Sequence, residues 1–214
     1  MFLTLLRHGE SVGNLSGVLQ GQSDYPLTPA GMEQARKLAS DWKSESTKFD
    51  LIISSPLRRA SQTAEIIAAS LEVPLEFDHL WKERNFGHFQ DMQLDEINKH
   101  NPSVDFFHPY APIGGTGESQ LDLYTRGSLA LQNILRRPDG AYLVVSHGGI
   151  LNKALYVIMG ITPQAHYNSP IFHFGNTGYA QFSYNLSTRQ WAMLCLNDQI
   201  KMPQSRGFMS WKND

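Results

Sequence analysis

The chain has 214 residues, of which 41% are hydrophobic and 18% charged, and its formal net charge is −2. That length suits one sizeable α/β domain, so residues 1–214 are read as a single unit. The balance of charge excludes a general attraction for nucleic acid or for an anionic membrane, so an anion site has to come from local clustering of positive charge.

Cys195 is the only cysteine and cannot form an internal disulfide, which fits a reducing cytoplasm. Met1 to Leu6 is a short apolar run that meets Arg7 and His8 at once, unlike a secretory signal. No run approaches the ~20 apolar residues that cross a bilayer. A soluble, cytoplasmic protein is expected.

In chain order, Phe2–Leu6 reads as a strand buried on both faces, followed by a loop punctuated by Gly9, Gly13, Gly17 and Gly21. Thr28 is a helix N-cap with Pro29 at the first helical position, and Ala35, Leu38, Ala39 and Trp42 continue at helical spacing. Leu51–Ile53 is a second buried strand. Ser55 is expected to cap a helix in which Pro56 comes first, with Ala60, Ala64, Ile67, Ala68 and Leu71 on its apolar face. The stretch from about 84 to 117 is rich in aromatics, Pro and Gly and breaks the rhythm, as an insertion lying over something would. Glu118-Ser119 opens a helix through Leu121, Tyr124, Leu129 and Leu131 to about Arg136. Tyr142–Val145 is another buried strand, followed by a helical stretch to Met159. Ile171–Phe174, Tyr179–Tyr184 and Gln190–Leu196 read as the last strands, two of them a hairpin across Asn185–Arg189. Strands alternating with helices predict a three-layer α/β/α sandwich with a mostly parallel sheet.

Three predicted strand ends carry unusual residues: Arg7-His8-Gly9-Glu10, Ser54-Ser55-Pro56-Leu57-Arg58 and Ser146-His147-Gly148. The carboxyl ends of parallel strands share one edge, where ligands bind, so Arg7, His8, Arg58 and His147 are expected to converge. Helix N-termini beyond the strands would add backbone N–H donors for an anion. Taken singly, each residue has a plainer reading: a His after a strand caps or packs, and an Arg in a first helical turn is solvated. Their coincidence at three strand ends is what favours a site.

Leu6-Arg7-His8-Gly9-Glu10-Ser11, with Asn14 downstream, resembles the signature of the histidine phosphatase (phosphoglycerate mutase-like) superfamily. Ser54 to Ala60 with Thr63-Ala64, Leu80 to Gly87, Gly117-Glu118-Ser119 and Val144 to Gly148 resemble its later motifs, in order. The resemblance runs from Leu3 to about Leu196. It implies that His8 is a nucleophile that becomes phosphohistidine, splitting a hydrolysis into two displacements. A hydrogen bond to the other ring nitrogen would fix the tautomer, and a backbone carbonyl of the Gly-rich turn is the expected partner. Arg7 and Arg58 would grip the phosphoryl oxygens, as guanidinium matches phosphate geometry. A protonated His147 would add a donor, and Asn14, Gln20, Gly21 and Gly148 would complete the cradle. Glu83, which on its surroundings alone reads as a surface ion-pair member beside Lys82 and Arg84, would by resemblance be the general acid and base. No metal and no cofactor are expected, since phosphoryl transfer is mainly positioning and charge stabilisation. The implied partner is a small phosphomonoester, with a homodimer compatible.

Mutases of this superfamily look basic in the insertion, where a second acidic group is held. Between Asn85 and Gly117 this chain has only Lys99 as a fixed positive charge, along with Phe86, Phe89, Phe106, Phe107 and Tyr110. These aromatics read either as the insertion's own small core or as pocket walls for an apolar substrate. A second anion clamp is therefore not expected, which favours a phosphatase over a mutase. A silent binding or scaffold module would show substitution at the nucleophile or clamp; His8, Arg7, Arg58, Glu83 and His147 are all present. Gln90-Asp91 stands where many members carry Glu-Gly, and the tail from Pro203 to Asp214 matches nothing in the resemblance.

Overall fold

A computed structural model of the chain describes residues 1–164 and 170–197. The tail from Pro203 to Asp214 lies outside the described residues. The central sheet contains strands β1 (Phe2–Arg7), β2 (Leu51–Ser54), β3 (Leu75–Phe77), β4 (Ala141–Ser146), β5 (Tyr179–Asn185) and β6 (Gln190–Asn197), in the order β3-β2-β4-β1-β5-β6. The first four in that order run parallel, and the β5–β6 hairpin adds antiparallel strands beside β1.

Helices cover both faces, as the alternating pattern predicts. Helices α2 (Pro29–Ser44) and α3 (Arg58–Leu71) pack Leu38, Ala39, Trp42, Ala60, Ala64 and Ile67 against Leu6, Ile52, Leu143 and Val145. On the other face, α5 (Gln120–Leu135) and α6 (Gly148–Met159) bring Leu123, Leu131, Ile150 and Leu155 against Leu3, Leu5, Ile53 and Val144. Alternate residues of β1, β2 and β4 thus feed opposite cores, which is why these parallel strands are largely apolar. Among the described residues, no helix is long and apolar enough to cross a membrane.

Three boundaries differ from the sequence reading. Ile171–Phe174 is not a strand: the Asn152 side chain takes both backbone groups of Phe172, each at 2.8 Å, in place of a sheet partner. Leu75–Phe77, unpredicted, is a three-residue edge strand too short to show a period. Helix α3 starts at Arg58, with Leu57 as an extended N-cap, because Ser55 Oγ accepts from Leu57 N and holds Pro56-Leu57 in a turn. The inward face of α3 consequently falls on Arg59, Ala60, Thr63, Ala64 and Ile67. Helix α5 buries Gln120, Leu123, Gly127, Ala130, Leu131 and Ile134, while Leu121 and Leu129 of the predicted face are exposed.

The short helix α1 (Val12–Leu15) is capped by Ser11, and α4 (Leu94–His100) is the only α-helix inside the 84–117 insertion. The insertion closes on itself at Gly87 and Gly114, both at positive φ; His88 N donates to Gly114 O, and a Cβ on Gly87 would sit 2.6 Å from that oxygen.

Candidate active site

The register of the sheet assembles the site. Arg7 pairs with Ser146 and Ser54 with Val145, so the residues just past these strand ends meet along one edge. His8 N donates to Ser146 O and Ser55 N to Val145 O. The His8 and His147 rings lie 5.1 Å apart between centroids.

His8 is buried, and its Nδ1 lies 2.7 Å from Gly9 O. A carbonyl only accepts, so Nδ1 carries the proton and Nε2 keeps its lone pair. Burial, followed by the charges of Arg59 and Arg7, holds the His8 pKa well below its usual value. A neutral ring with a free lone pair between two guanidinium groups suits attack on an electrophilic phosphorus. The Gly-rich turn is braced by the Thr63 hydroxyl, which accepts from Gly9 N and donates to Arg59 O.

Arg58 is the sequence-predicted residue that does not join the site. It is exposed, and its backbone N–H donates to Asp24. The later helix start turns the next residue inward instead. Arg59 is 1% exposed and donates through Nε to His147 Nδ1 at 3.2 Å, through Nη1 to Ser23 O and through Nη2 to Gly21 O. Burial lowers its pKa to about 10, so it stays charged near neutrality. Arg7, at the end of β1, donates to Phe174 O from the other side.

His147 is also fully buried, with its pKa lowered well below the usual value by burial and then by Arg59, His8, Arg7 and Arg126. An arginine N–H only donates, so Nδ1 is the acceptor and Nε2–H points to Ser55 Oγ at 2.8 Å. The free protein therefore holds His147 neutral, in contrast to the protonated ring the sequence suggests.

Glu83 lies at the N-terminus of α6, where Oε2 accepts from Gly149 N at 3.1 Å and Oε1 from Arg84 N at 2.7 Å. A Cβ on Gly149 would collide with Glu83 Oε1. Arg126, not singled out in the sequence, holds this segment: it binds Glu118 through two 2.7 Å contacts and donates to the carbonyls of Leu80, Lys82 and Glu83.

The remaining predicted cradle residues are placed unequally. Asn14 Oδ1 accepts from Ser11 N and from Asn176 Nδ2, which leaves the amide NH₂ as the group for an anion. Asn176 also donates to His8 O, another role invisible in the sequence. Gln20 Oε1 accepts from the Ser11 hydroxyl at 2.8 Å, so Gln20 supports the α1 cap. The Gly21 carbonyl orients Arg59, and Gly148 starts α6 at the cavity wall. Gln90-Asp91 ties the insertion to this loop: Gln90 Oε1 accepts from Gln22 N, and Asp91 accepts from Ser23 and Tyr25 hydroxyls.

Beside Glu83 and Gly149 opens a cavity of about 400 Å³ with a largely apolar lining, including Val18, Leu19, Phe86, Phe106, Phe107 and Leu123. Phe86, Phe106 and Phe107 are thus pocket walls. Phe89 packs on Phe106 behind them, and Tyr110 is exposed. The same cavity reaches Arg84 and Lys153. Lys153 sits in the apolar run of α6 and gave no signal in the sequence.

Comparison with known proteins identifies the family. Residues 3–199 match the family described as histidine phosphatase superfamily (branch 1). The uncharacterized phosphatase PhoE of Bacillus subtilis is 36% identical over 160 residues, covering 75% of this chain and 78% of that protein. The probable phosphoglycerate mutase GpmB of Yersinia enterocolitica is 36% identical over 169 residues, covering 75% and 76%. Among solved structures, a phosphoserine phosphatase from Entamoeba histolytica, in complex with 3-phosphoglyceric acid, superposes with a TM-score of 0.77 at 29% identity, covering 92% of this chain and 96% of that one.

Proposed function

Because the chain belongs to the histidine phosphatase superfamily, we propose that it hydrolyses phosphomonoesters through a phosphohistidine on His8. The observation that carries the proposal is the His8 tautomer: Nδ1–H is committed to Gly9 O, and Nε2 is left as a buried, neutral nucleophile.

In the first step His8 Nε2 attacks phosphorus and the bond to the leaving oxygen breaks. Glu83 gives its proton to that oxygen, so the alcohol leaves neutral. In the second step water attacks the phosphohistidine, Glu83 takes the water's proton, and the phosphorus–nitrogen bond breaks to release inorganic phosphate and restore His8. Arg7 and Arg59 meet the charge on the equatorial oxygens throughout. Asn14 adds a donor through its NH₂. Arg58 has no part in the clamp.

His147 donates to a phosphoryl oxygen only after gaining a proton on Nδ1, the atom now occupied by Arg59 Nε. Anion binding is therefore coupled to proton uptake at His147 and releases Arg59 Nε toward the anion. Since fixed guanidinium groups supply the charge, turnover is expected to survive EDTA. Loss of activity restored by Mg²⁺ would show that the clamp is insufficient.

The cavity beside Glu83 favours leaving groups with an apolar body, which is the reason for preferring hydrolysis to phosphoglycerate isomerisation. The mutase reading draws support from relatives such as GpmB. Phosphate release from p-nitrophenyl phosphate and 3-phosphoglycerate, beside an isomerisation assay primed with 2,3-bisphosphoglycerate, separates the two. Hydrolysis without isomerisation is expected; isomerisation would transfer the assignment to a mutase.

A further inference from the structure

The cavity that receives the leaving group carries two cations that the reaction above does not use. Arg84 is 3% exposed, and its guanidinium is fixed by Nε to Glu118 O at 2.9 Å and Nη1 to Phe106 O at 2.7 Å. Its Nη2 is buried and has no hydrogen-bond partner among the described residues. Lys153 is 8% exposed; its Nζ lies 4.2 Å above the Tyr156 ring and makes no hydrogen bond or salt bridge among the described residues.

The acids nearby are already engaged. Glu118 is held by both arms of Arg126 and by Asn85 N, Asp122 by Ser119, and Glu83 by the backbone of Arg84 and Gly149. Burial and the neighbouring Arg84 charge lower the Lys153 pKa to about 8. Glu118, Glu83, Asp105 and Asp122 lie close enough to offset the Arg84 charge, whereas only burial and Arg84 act on Lys153. Of the two cations lining the cavity, Lys153 is therefore the one that an anion from outside would balance.

We infer that the cavity is a subsite for leaving groups with an apolar body ending in a carboxylate, bound by Arg84 Nη2 and Lys153 Nζ. The inference rests on the phosphomonoester reading above and deepens it to a substrate class. Consecutive residues set the direction: Glu83, which protonates the leaving oxygen, is followed by Arg84, and Gly149, against Glu83, also lines the cavity. A carboxylate fits better than a second phosphate. A carboxylate brings one negative charge where a phosphate brings close to two, and against a largely apolar lining the single charge costs less to desolvate. Beyond Arg84 the insertion carries only Lys99 as a fixed positive charge, and the subsite is built instead from Arg84 at the insertion's first position and Lys153 of α6.

The test uses phosphonates, whose phosphorus–carbon bond cannot be hydrolysed, so binding is read apart from turnover. Calorimetric titration of the full chain compares 4-(phosphonomethyl)benzoate with benzylphosphonate. The carboxylate should tighten binding by about tenfold or more. In Lys153→Met the ratio should fall toward one, and Lys153→Gln serves if that variant does not fold. Equal affinities in the wild type, or a preference that survives both variants, would overturn the inference. So would tighter binding of a bisphosphonate of the same skeleton. If neither monophosphonate binds, the phosphoryl site itself is refuted, and the inference with it. A carboxylate preference in a protein that fails to release phosphate from p-nitrophenyl phosphate would sink the hydrolytic reading alone.

Discussion

The strand-end cluster and the cavity beside it hold similar numbers of cations but are built in opposite ways. Around His8, most polar groups are tied to a backbone atom or to another site residue, and His8 Nε2 and the Asn14 NH₂ are left for the ligand. Thr63 joins Gly9 to Arg59, Arg59 joins His147 to the Gly21 loop, and His147 leans on Ser55. Around Lys153 and Arg84 Nη2 the walls are apolar and the donors are unspent. On the proposed function, the first region is pre-organised for a fixed piece of chemistry, the phosphoryl group that all substrates would share. The second is completed by what binds there. Substitutions in the cluster should therefore lower turnover for every substrate, and substitutions in the cavity should re-rank substrates.

The largest effect is expected from His8→Ala, a loss of about 10⁴-fold or more in kcat for all phosphomonoesters with the fold intact by circular dichroism. Next, Arg59→Met should lower kcat by about 10² to 10³, the effect of removing one fixed donor to developing charge. Arg58→Met should stay within about twofold. Reversal of that order would return the clamp to Arg58. Gly149→Ala pushes Glu83 out of place, so alkyl phosphates should slow by about 10². p-Nitrophenyl phosphate should slow less, because its leaving group needs no proton; equal slowing would remove Glu83 from the acid role. Phe107→Ala trims an exposed cavity wall and should raise KM for aryl phosphates a few-fold, by about the free energy of a rim aromatic contact, with little change for small alkyl phosphates.

The smallest effect concerns stability. His8 and His147 have pKa values depressed in the folded state, so between those values and the unfolded value of about 6.5 the unfolded chain binds more protons. Their contribution is complete above that unfolded value and is lost as pH falls below it. Thermal melts without ligand should shift down between about pH 7 and pH 5.5, and less so in His147→Gln. An equal shift in the variant would assign the effect elsewhere.

How far the sequence foretells this molecule follows the same division. Short apolar runs ending in Arg7-His8, Ser54-Ser55 and Ser146-His147 announce both the parallel strands and the edge on which they meet. The one-residue error at Arg58 comes from the adjacent pair Arg58-Arg59. Which arginine points inward depends on where α3 begins, and a Ser55 turn displaces that start beyond Pro56. Ile171–Phe174 has the composition of a strand, yet Asn152 takes the backbone groups that a strand would have paired. Lys153 and Arg84 are 69 positions apart (153 minus 84) in different elements, and nothing local marks either as facing a cavity. Asn176 and Arg126 likewise act only through contacts far away in sequence.

The central claim is that His8 carries the phosphoryl group during turnover. Incubation with p-nitrophenyl phosphate, quenching in alkali to preserve phosphohistidine, proteolysis and mass spectrometry test it directly. The account predicts one acid-labile phosphoryl adduct on the peptide containing His8, absent from His8→Ala. Turnover at full rate with no adduct on His8, or an adduct on another residue that persists in His8→Ala, would contradict it.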